Sequence, residues 1–443
     1  MRLKKPLKMA LAVSLILATA ILPFLGGCTG EESPPESFPP TEPTTPATPT
    51  TPSTPETPET PDTTPIKVGF SICYTGPAAE KGRPMGDAKL DCIKYINEEL
   101  GGVNGHPIEV IWRDNEYDAS KAVNIVNELM DNGCLMFTTN ASKMMAASMS
   151  AANRAEFPGF TVFSSPVCTH PPQHIYGQMP DYGDDWAAFA TYYLENIWDG
   201  EGMPKMALHL LNNPTGSGAS DAATAKADEM GIDIVAVEEH TATTISEMES
   251  LTRIKALDPD VIYISSTPQP TSIIVQNAVQ LEMYPGVTIG CGHASFTSVL
   301  VELAGSDAEG VYGVYPTVNW GDDVPAMAKM TEYCQMLHPE DYGNMDYITS
   351  WAEGLIVAEI LRLATENVAV ADLTPQLVEE YGFKMLDNFS VGGLHGPVSY
   401  TPGDNRLSKS VRVFQVQEGD LVPVSDWVEA PLIKYEDYEW FSQ

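Results

Sequence analysis

The chain has 443 residues, with 60 acidic and 24 basic side chains and a formal net charge of −36 at neutral pH. Such an acidic exterior argues against nucleic acid and anionic lipid headgroups as direct partners, although it leaves the polarity of any internal cleft open. Beyond residue 65 about 380 residues remain, more than one core usually holds, so two lobes are expected.

Arg2, Lys4, Lys5 and Lys8 precede an apolar run from Met9 to Leu25, the charged-then-apolar order of an export signal. The run ends in Leu25-Gly26-Gly27-Cys28, which resembles a bacterial lipobox. That resemblance implies a signal peptide over 1–27, cleavage before Cys28 and lipidation of Cys28, which anchors the chain to the membrane on its extracytoplasmic side, periplasmic or cell-surface. The alternative is an uncleaved signal anchor, since the run approaches the length of a short membrane span. From Thr29 to Pro65 proline and threonine alternate almost in register, with Phe38 the only aromatic. No core can form there, and a polyproline-like spacer over 28–65 reaches on the order of 100 Å.

Past the tether, apolar strands alternate with amphipathic helices. Ile66 to Ile72 reads as a strand, and Met85, Ala88, Cys92, Ile93, Ile96 and Leu100 mark one helical face before Gly101-Gly102. Next come a strand at Ile108 to Trp112, a helix through Ala122, Val126 and Met130, a strand at Leu135 to Thr138, a helix after Ser142 and a strand at Phe160 to Phe163. A helix from Asp184 to Ile197 leads to a second set, with strands at Met206 to Leu211, Ile232 to Val237, Val261 to Ile264, Val287 to Ile289 and Val311 to Val314. Helices follow at Val324 to Met336 and Tyr347 to Thr365, and Gly396 to Val424 reads as β-hairpins. Two consecutive α/β sets imply two parallel, doubly wound sheets. Six cysteines follow the tether, at 73, 92, 134, 168, 291 and 334; an even number in an exported chain permits disulfides, while Cys92 and Cys134 also read as small buried hydrophobes.

Several stretches, in order, are similar to the type I periplasmic solute-binding proteins of the branched-chain amino acid and amide class. They are Ile66-Lys67-Val68-Gly69-Phe70 with Tyr74-Thr75-Gly76-Pro77-Ala78, Gly101-Gly102-Val103-Asn104-Gly105, Asp118-Ala119-Ser120-Lys121-Ala122, Pro259-Asp260-Val261-Ile262-Tyr263 and Gly393-Leu394-His395-Gly396-Pro397. The resemblance implies two Rossmann-like lobes joined by three crossover strands, near Gln178 to Asp181, Tyr312 to Pro316 and Leu394 to Tyr400. On that reading one lobe comprises 66–180 and 315–394, the other 181–314 and 395–443. It further implies a monomer that closes on a small solute and hands it to an ABC permease and ATPase complex, with no cofactor.

Asn140-Ala141-Ser142 follows a strand and opens a helix, so Ser142 is expected to cap it while its neighbours offer N–H groups to an anion. The family binds a carboxylate there, and Cys168 and Thr169 match its second anchoring loop. Thr215 and Thr267 stand where the family's amino-acid binders carry aromatics. Near Cys291-Gly292-His293 no carboxylate follows in sequence to pair with an α-ammonium; either an acid reaches in, with Asp181, Asp184 and Glu282 as candidates, or the ligand lacks the amine. Tyr74, Trp320 and Tyr347 are expected to line the cleft, or merely to pack at the hinge. Cys168-Thr169-His170 and Cys291-Gly292-His293 also raise a metal-bridged closure as an alternative. His209 reads as a core residue, and His240 as a loop histidine without a partner.

Other functions compete. The same scaffold serves as a sensor for a separate signalling partner. An exported enzyme is disfavoured by the lack of a Gly-x-Ser-x-Gly elbow, a His-Glu-x-x-His helix or a Walker loop.

Overall fold

The computed structural model describes residues 63–441; the leader, Cys28 and nearly all of the tether lie outside the described residues. The first half runs β1 (Ile66–Ile72), α1 (Ala79–Glu99), β2 (Ile108–Asp114), α2 (Ala119–Asp131), β3 (Phe137–Thr139), α3 (Ser142–Arg154), β4 (Gly159–Thr161), α4 (Pro166–Thr169) and β5 (Ile175–Gly177). Its five strands are all parallel, in the order β2-β1-β3-β4-β5. Helices cover both faces, which is why β1 reads as a near-continuous apolar run and is almost wholly buried.

The second half continues with α5 (Tyr182–Asn196), β6 (Lys205–Leu211), α6 (Pro214–Met230), β7 (Asp233–His240), α7 (Met248–Lys255), β8 (Val261–Ser265), α8 (Pro268–Gln280), β9 (Thr288–Cys291), α9 (Ser298–Ala304) and β10 (Tyr312–Tyr315). Strands β6 to β10 repeat the first sheet's order, as β7-β6-β8-β9-β10. The chain then forms α10 (Met327–Leu337), α11 (Met345–Asn367) and α12 (Pro375–Tyr381), with β11 (Ser410–Gln417), β12 (Asp420–Pro423) and β13 (Val428–Glu429) closing it. Strand β11 joins the second sheet antiparallel to β10. Among the described residues no helix is long and apolar enough to cross a membrane.

Helices α10 to α12 return to the first half. Met330, Trp351, Ile356 and Val378 share one buried cluster with Ile66, Val68 and Phe70. The chain therefore passes between the halves three times. It leaves the first sheet at Gln178, returns where Thr317 bridges His395, and leaves again before Ser410. Val398 and Leu407 still pack in the first half's core, beyond the change of lobe expected at residue 395. The buried Arg406 ties the first and third passages together, reaching Asp184 Oδ1 at 2.5 Å and Asp404 Oδ1 at 3.0 Å.

Two expectations change. Of the segment read as hairpins, only Ser410 onward forms one; residues 396–409 are held by isolated bridges such as Thr401↔Asp404. Pro397 and Pro402 lack the N–H that a ladder needs. All six cysteines of the folded region are free and buried, so each serves as a small apolar side chain.

Candidate functional site

In an open parallel sheet a ligand sits beyond the carboxyl ends of the strands where the strand order reverses. Here those points lie between β1 and β3 in the first half and between β6 and β8 in the second. One cavity joins them. The first half lines it with Cys73, Ala78, Lys81, Gly82, Met85, Tyr117, Asn140, Ala141 and Phe163, the second with Tyr182, Thr215 and Thr267. Its volume is about 30 Å³, room for about one or two water molecules. The halves meet directly at its edge, where Asn213 Nδ2 donates to the Tyr117 hydroxyl at 2.9 Å.

The repeated topology explains which residues arrive there. In each half the helix after the first strand presses a glycine onto that strand's end. A Cβ on Gly82 would stand 2.0 Å from the Cys73 carbonyl oxygen, and one on Gly216 2.1 Å from that of Leu211. Only glycine permits the approach. The preceding residues, Lys81 and Thr215, are thereby aimed into the cavity. Likewise Asn140 and Ala141 follow the third strand of one half, and Thr267 that of the other.

One wall residue carries a buried amide without a partner. On the cavity wall Asn140 is 2% exposed, yet neither atom of its amide has a hydrogen-bond partner among the described residues; the hydroxyls of Ser142, Ser164, Ser165 and Thr169 are likewise buried and unpartnered but do not line the cavity. Leaving such a group unpaired costs about 1–3 kcal/mol, which makes the Asn140 amide a candidate ligand contact. Ser142 does not cap α3 as expected: it is the helix's first residue, Ala141 takes the N-cap position, and no side chain caps. The N–H groups of Met144 and Met145 donate to the Ala141 carbonyl, and those of Ser142 and Lys143 are left for another acceptor.

Lys81 is the residue that sequence reasoning missed. It is 5% exposed, its Nζ lies 2.6 Å from Asp346 Oδ1 and 4.9 Å from the centre of the Phe163 ring. A signal existed: Lys81 stands at helical spacing on the buried stripe of Met85, Ala88 and Cys92. Asp185 was missed too. Its Oδ2 accepts from the His293 backbone N–H at 2.9 Å and contacts the ring Nδ1 at 2.6 Å, while its Oδ1 is buried without a partner. Burial pushes the Asp185 carboxyl up, and the neighbouring His293 opposes that shift. An acid does therefore reach the Cys291-Gly292-His293 turn, though not one of the three candidates. The Phe163 and Tyr182 rings, both on the cavity wall, lie 4.7 and 5.0 Å from the His293 ring.

Other expected residues are placed elsewhere. Cys168 is buried, with its thiol directed at the Ser142 carbonyl and its pKa pushed up to about 12 by burial. Tyr74 donates to Asp87 and Tyr347 to Asp91, and the Trp320 indole N–H reaches the Asn344 carbonyl; none of the three lines the cavity. His170 pairs with Glu436, and among the described residues no group of three metal-type ligands is formed, so the two Cys-x-His turns do not build a bridge. His240 does have partners: it ends β7, with its Nδ1 3.0 Å from that of His209 and its Nε2 2.6 Å from Ser266 Oγ. Burial lowers these pKa values to about 4 for His209 and about 3 for His240.

Comparisons with known proteins agree with this fold. A family model described as "Periplasmic binding protein" matches residues 65–420. A branched-chain amino acid ABC transporter protein of Thermus thermophilus, solved with bound valine, superposes with a TM-score of 0.73 at 19% identity, covering 85% of this chain and 98% of its own. A fatty acid ABC transporter substrate-binding protein of Thermomonospora curvata gives 0.73 at 19% identity, covering 85% and 95%. A leucine-binding protein of Thermotoga maritima gives 0.69 at 18%, covering 82% and 99%. A search of curated proteins returns no match.

Proposed function

The chain belongs to the periplasmic binding protein family, and from that membership we propose that it is the extracytoplasmic receptor of an ABC importer, capturing a small polar organic solute by cleft closure and delivering it to the permease. The observation that carries this reading is the cavity itself. It joins the switch points of both sheets, and the buried Asn140 amide on its wall has no hydrogen-bond partner among the described residues. A space of about 30 Å³ admits no organic solute, so loading requires the halves to part at the Tyr117–Asn213 contact and close again, a hinge motion about the three passages.

Valine and fatty acids, the ligands named for two of the similar structures, share a carboxylate. The open N-terminus of α3, with Asn140 and Ser142 beside it, suits such a group. In this reading Cys28 carries the lipid anchor and the Pro/Thr tether lets the receptor search near its permease.

Thermal-shift screening against carboxylates, amides and amino acids tests the proposal. At least one class should raise the melting temperature by several degrees, as ligand at about 100 times its Kd adds about 2.7 kcal/mol. Tryptophan fluorescence or small-angle scattering should report compaction on binding. A panel without any stabilising member, or binding without compaction, would count against a closing receptor.

A further inference from the structure

Lys81 is a buried cation on the cavity wall, and the one hydrogen bond of its ammonium among the described residues goes to Asp346 Oδ1. An ammonium carries three N–H donors, so two remain for a guest. No acid lines the cavity. Asp346 stands behind it, with the Tyr315 hydroxyl donating to the same oxygen that Lys81 uses. Asp185 contacts His293 through Oδ2 while its Oδ1 is buried without a partner, and neither it nor Glu80 lines the cavity. In the same small space Asn140 presents an unpaired amide next to the uncapped start of α3. The wall thus presents one ammonium, ion-paired to Asp346 behind it, and several neutral donors, in a chain whose overall charge is strongly negative.

We propose that Lys81 sets the charge of the ligand: the cavity takes a carboxylate that lacks an α-ammonium group, its anionic head held by the Lys81 ammonium together with Asn140 and the first turn of α3. This rests on the receptor reading above. An α-amino acid would bring a second ammonium beside Lys81 into a space whose wall carries no carboxylate to pair with it. A carboxylate alone completes the unused donors of Lys81 and of Asn140 at once.

Calorimetric titration of the full chain with matched triads tests this, each triad being a carboxylic acid, its amide and its 2-amino derivative, on aliphatic, hydroxylated and aromatic tails. For the tail that fits, the carboxylate should bind at least tenfold more tightly than both relatives. Lys81→Met should remove that preference over the amide, while Asp346→Asn, which frees Lys81 from its competitor, should tighten carboxylate binding severalfold. The two variants move affinity in opposite directions, which general loss of folding cannot imitate, and Asp346→Asn decides alone if Lys81→Met does not fold. An amino acid that binds as tightly as its deaminated counterpart, or a carboxylate-to-amide ratio unchanged by Lys81→Met, overturns the inference and leaves the receptor reading standing. Binding by no member of any triad overturns both.

Discussion

Replacing Lys89 by methionine should destabilise the first half by about 3–5 kcal/mol, the usual cost of stranding one partner of a buried ion pair. Helices α1 and α11 run side by side and are joined by two such pairs, Lys81–Asp346 beside the cavity and Lys89–Glu353 deeper in the core. Lys89 and Glu353 are both 0% exposed, with Nζ 2.7 Å from Oε1. Lys89 also donates to Thr138 Oγ1 at 3.2 Å and lies 5.1 Å from the centre of the Phe70 ring. Burial lowers its pKa while Glu353 holds it up. Without the lysine, Glu353 keeps only the Ser350 hydroxyl at 3.1 Å, too weak a partner for a carboxylate out of water. The double variant Lys89→Met/Glu353→Met removes both charges and should return to within about 1 kcal/mol of the parent. Urea unfolding monitored by fluorescence separates the two cases. A single variant costing less than about 1 kcal/mol, or a double variant as unstable as the single, would refute the assignment of this pair as a desolvated, mutually dependent contact. Because Lys89 does not line the cavity, the carboxylate preference should survive its replacement.

Tyr117→Phe deletes the acceptor of the Asn213 hydrogen bond between the halves, worth about 1 kcal/mol. Fluorescence transfer between dyes on the two halves should then report a more open ensemble without added solute, and an unchanged distance distribution would rule out a latch. Asp221 has its pKa raised to about 6 by burial; a carboxyl whose folded pKa is raised contributes stability below its unfolded pKa that is lost as pH climbs towards the folded one. Asp221→Asn should therefore raise the unfolding midpoint more at pH 8 than at pH 4, and an equal shift at both would dismiss desolvation as the cause. The six buried cysteines, with Cys73, Cys168 and Cys334 pushed up to about 12 by burial, should resist an aromatic disulfide reagent in the native protein and titrate as free thiols after unfolding. Disulfide-linked peptides in a non-reducing digest would contradict that.

Much of the fold was legible because it is written in local terms. Strand β1 declares itself as an apolar run, α1 as an amphipathic stripe, and the α/β alternation permits few topologies. That Asn140, Ala141, Thr215 and Thr267 line the cavity was legible in outline because each follows a strand of a parallel sheet, beyond whose carboxyl ends ligands are held. Tyr74, Trp320 and Tyr347 were misleading for the opposite reason. An aromatic in a loop or at a helix start carries the same local signature whether it faces a guest or donates to a carboxylate of another helix, as Tyr347 at the start of α11 does to Asp91. Asp185 was hidden because it lies 108 residues from the turn it serves.

By itself the sequence determined the alternation of strands and helices, the family and the loops that gather at the sheet ends, since these depend on short-range periodicity and backbone chemistry. Only the tertiary structure decided which charges face the cavity. Lys81 and Lys89 stand two helical turns apart on one buried stripe, and nothing in their neighbours distinguishes the lysine at the cavity wall from the one sealed in the core. The difference arises from how deeply α11 lies against α1, a packing set by residues more than 250 positions away.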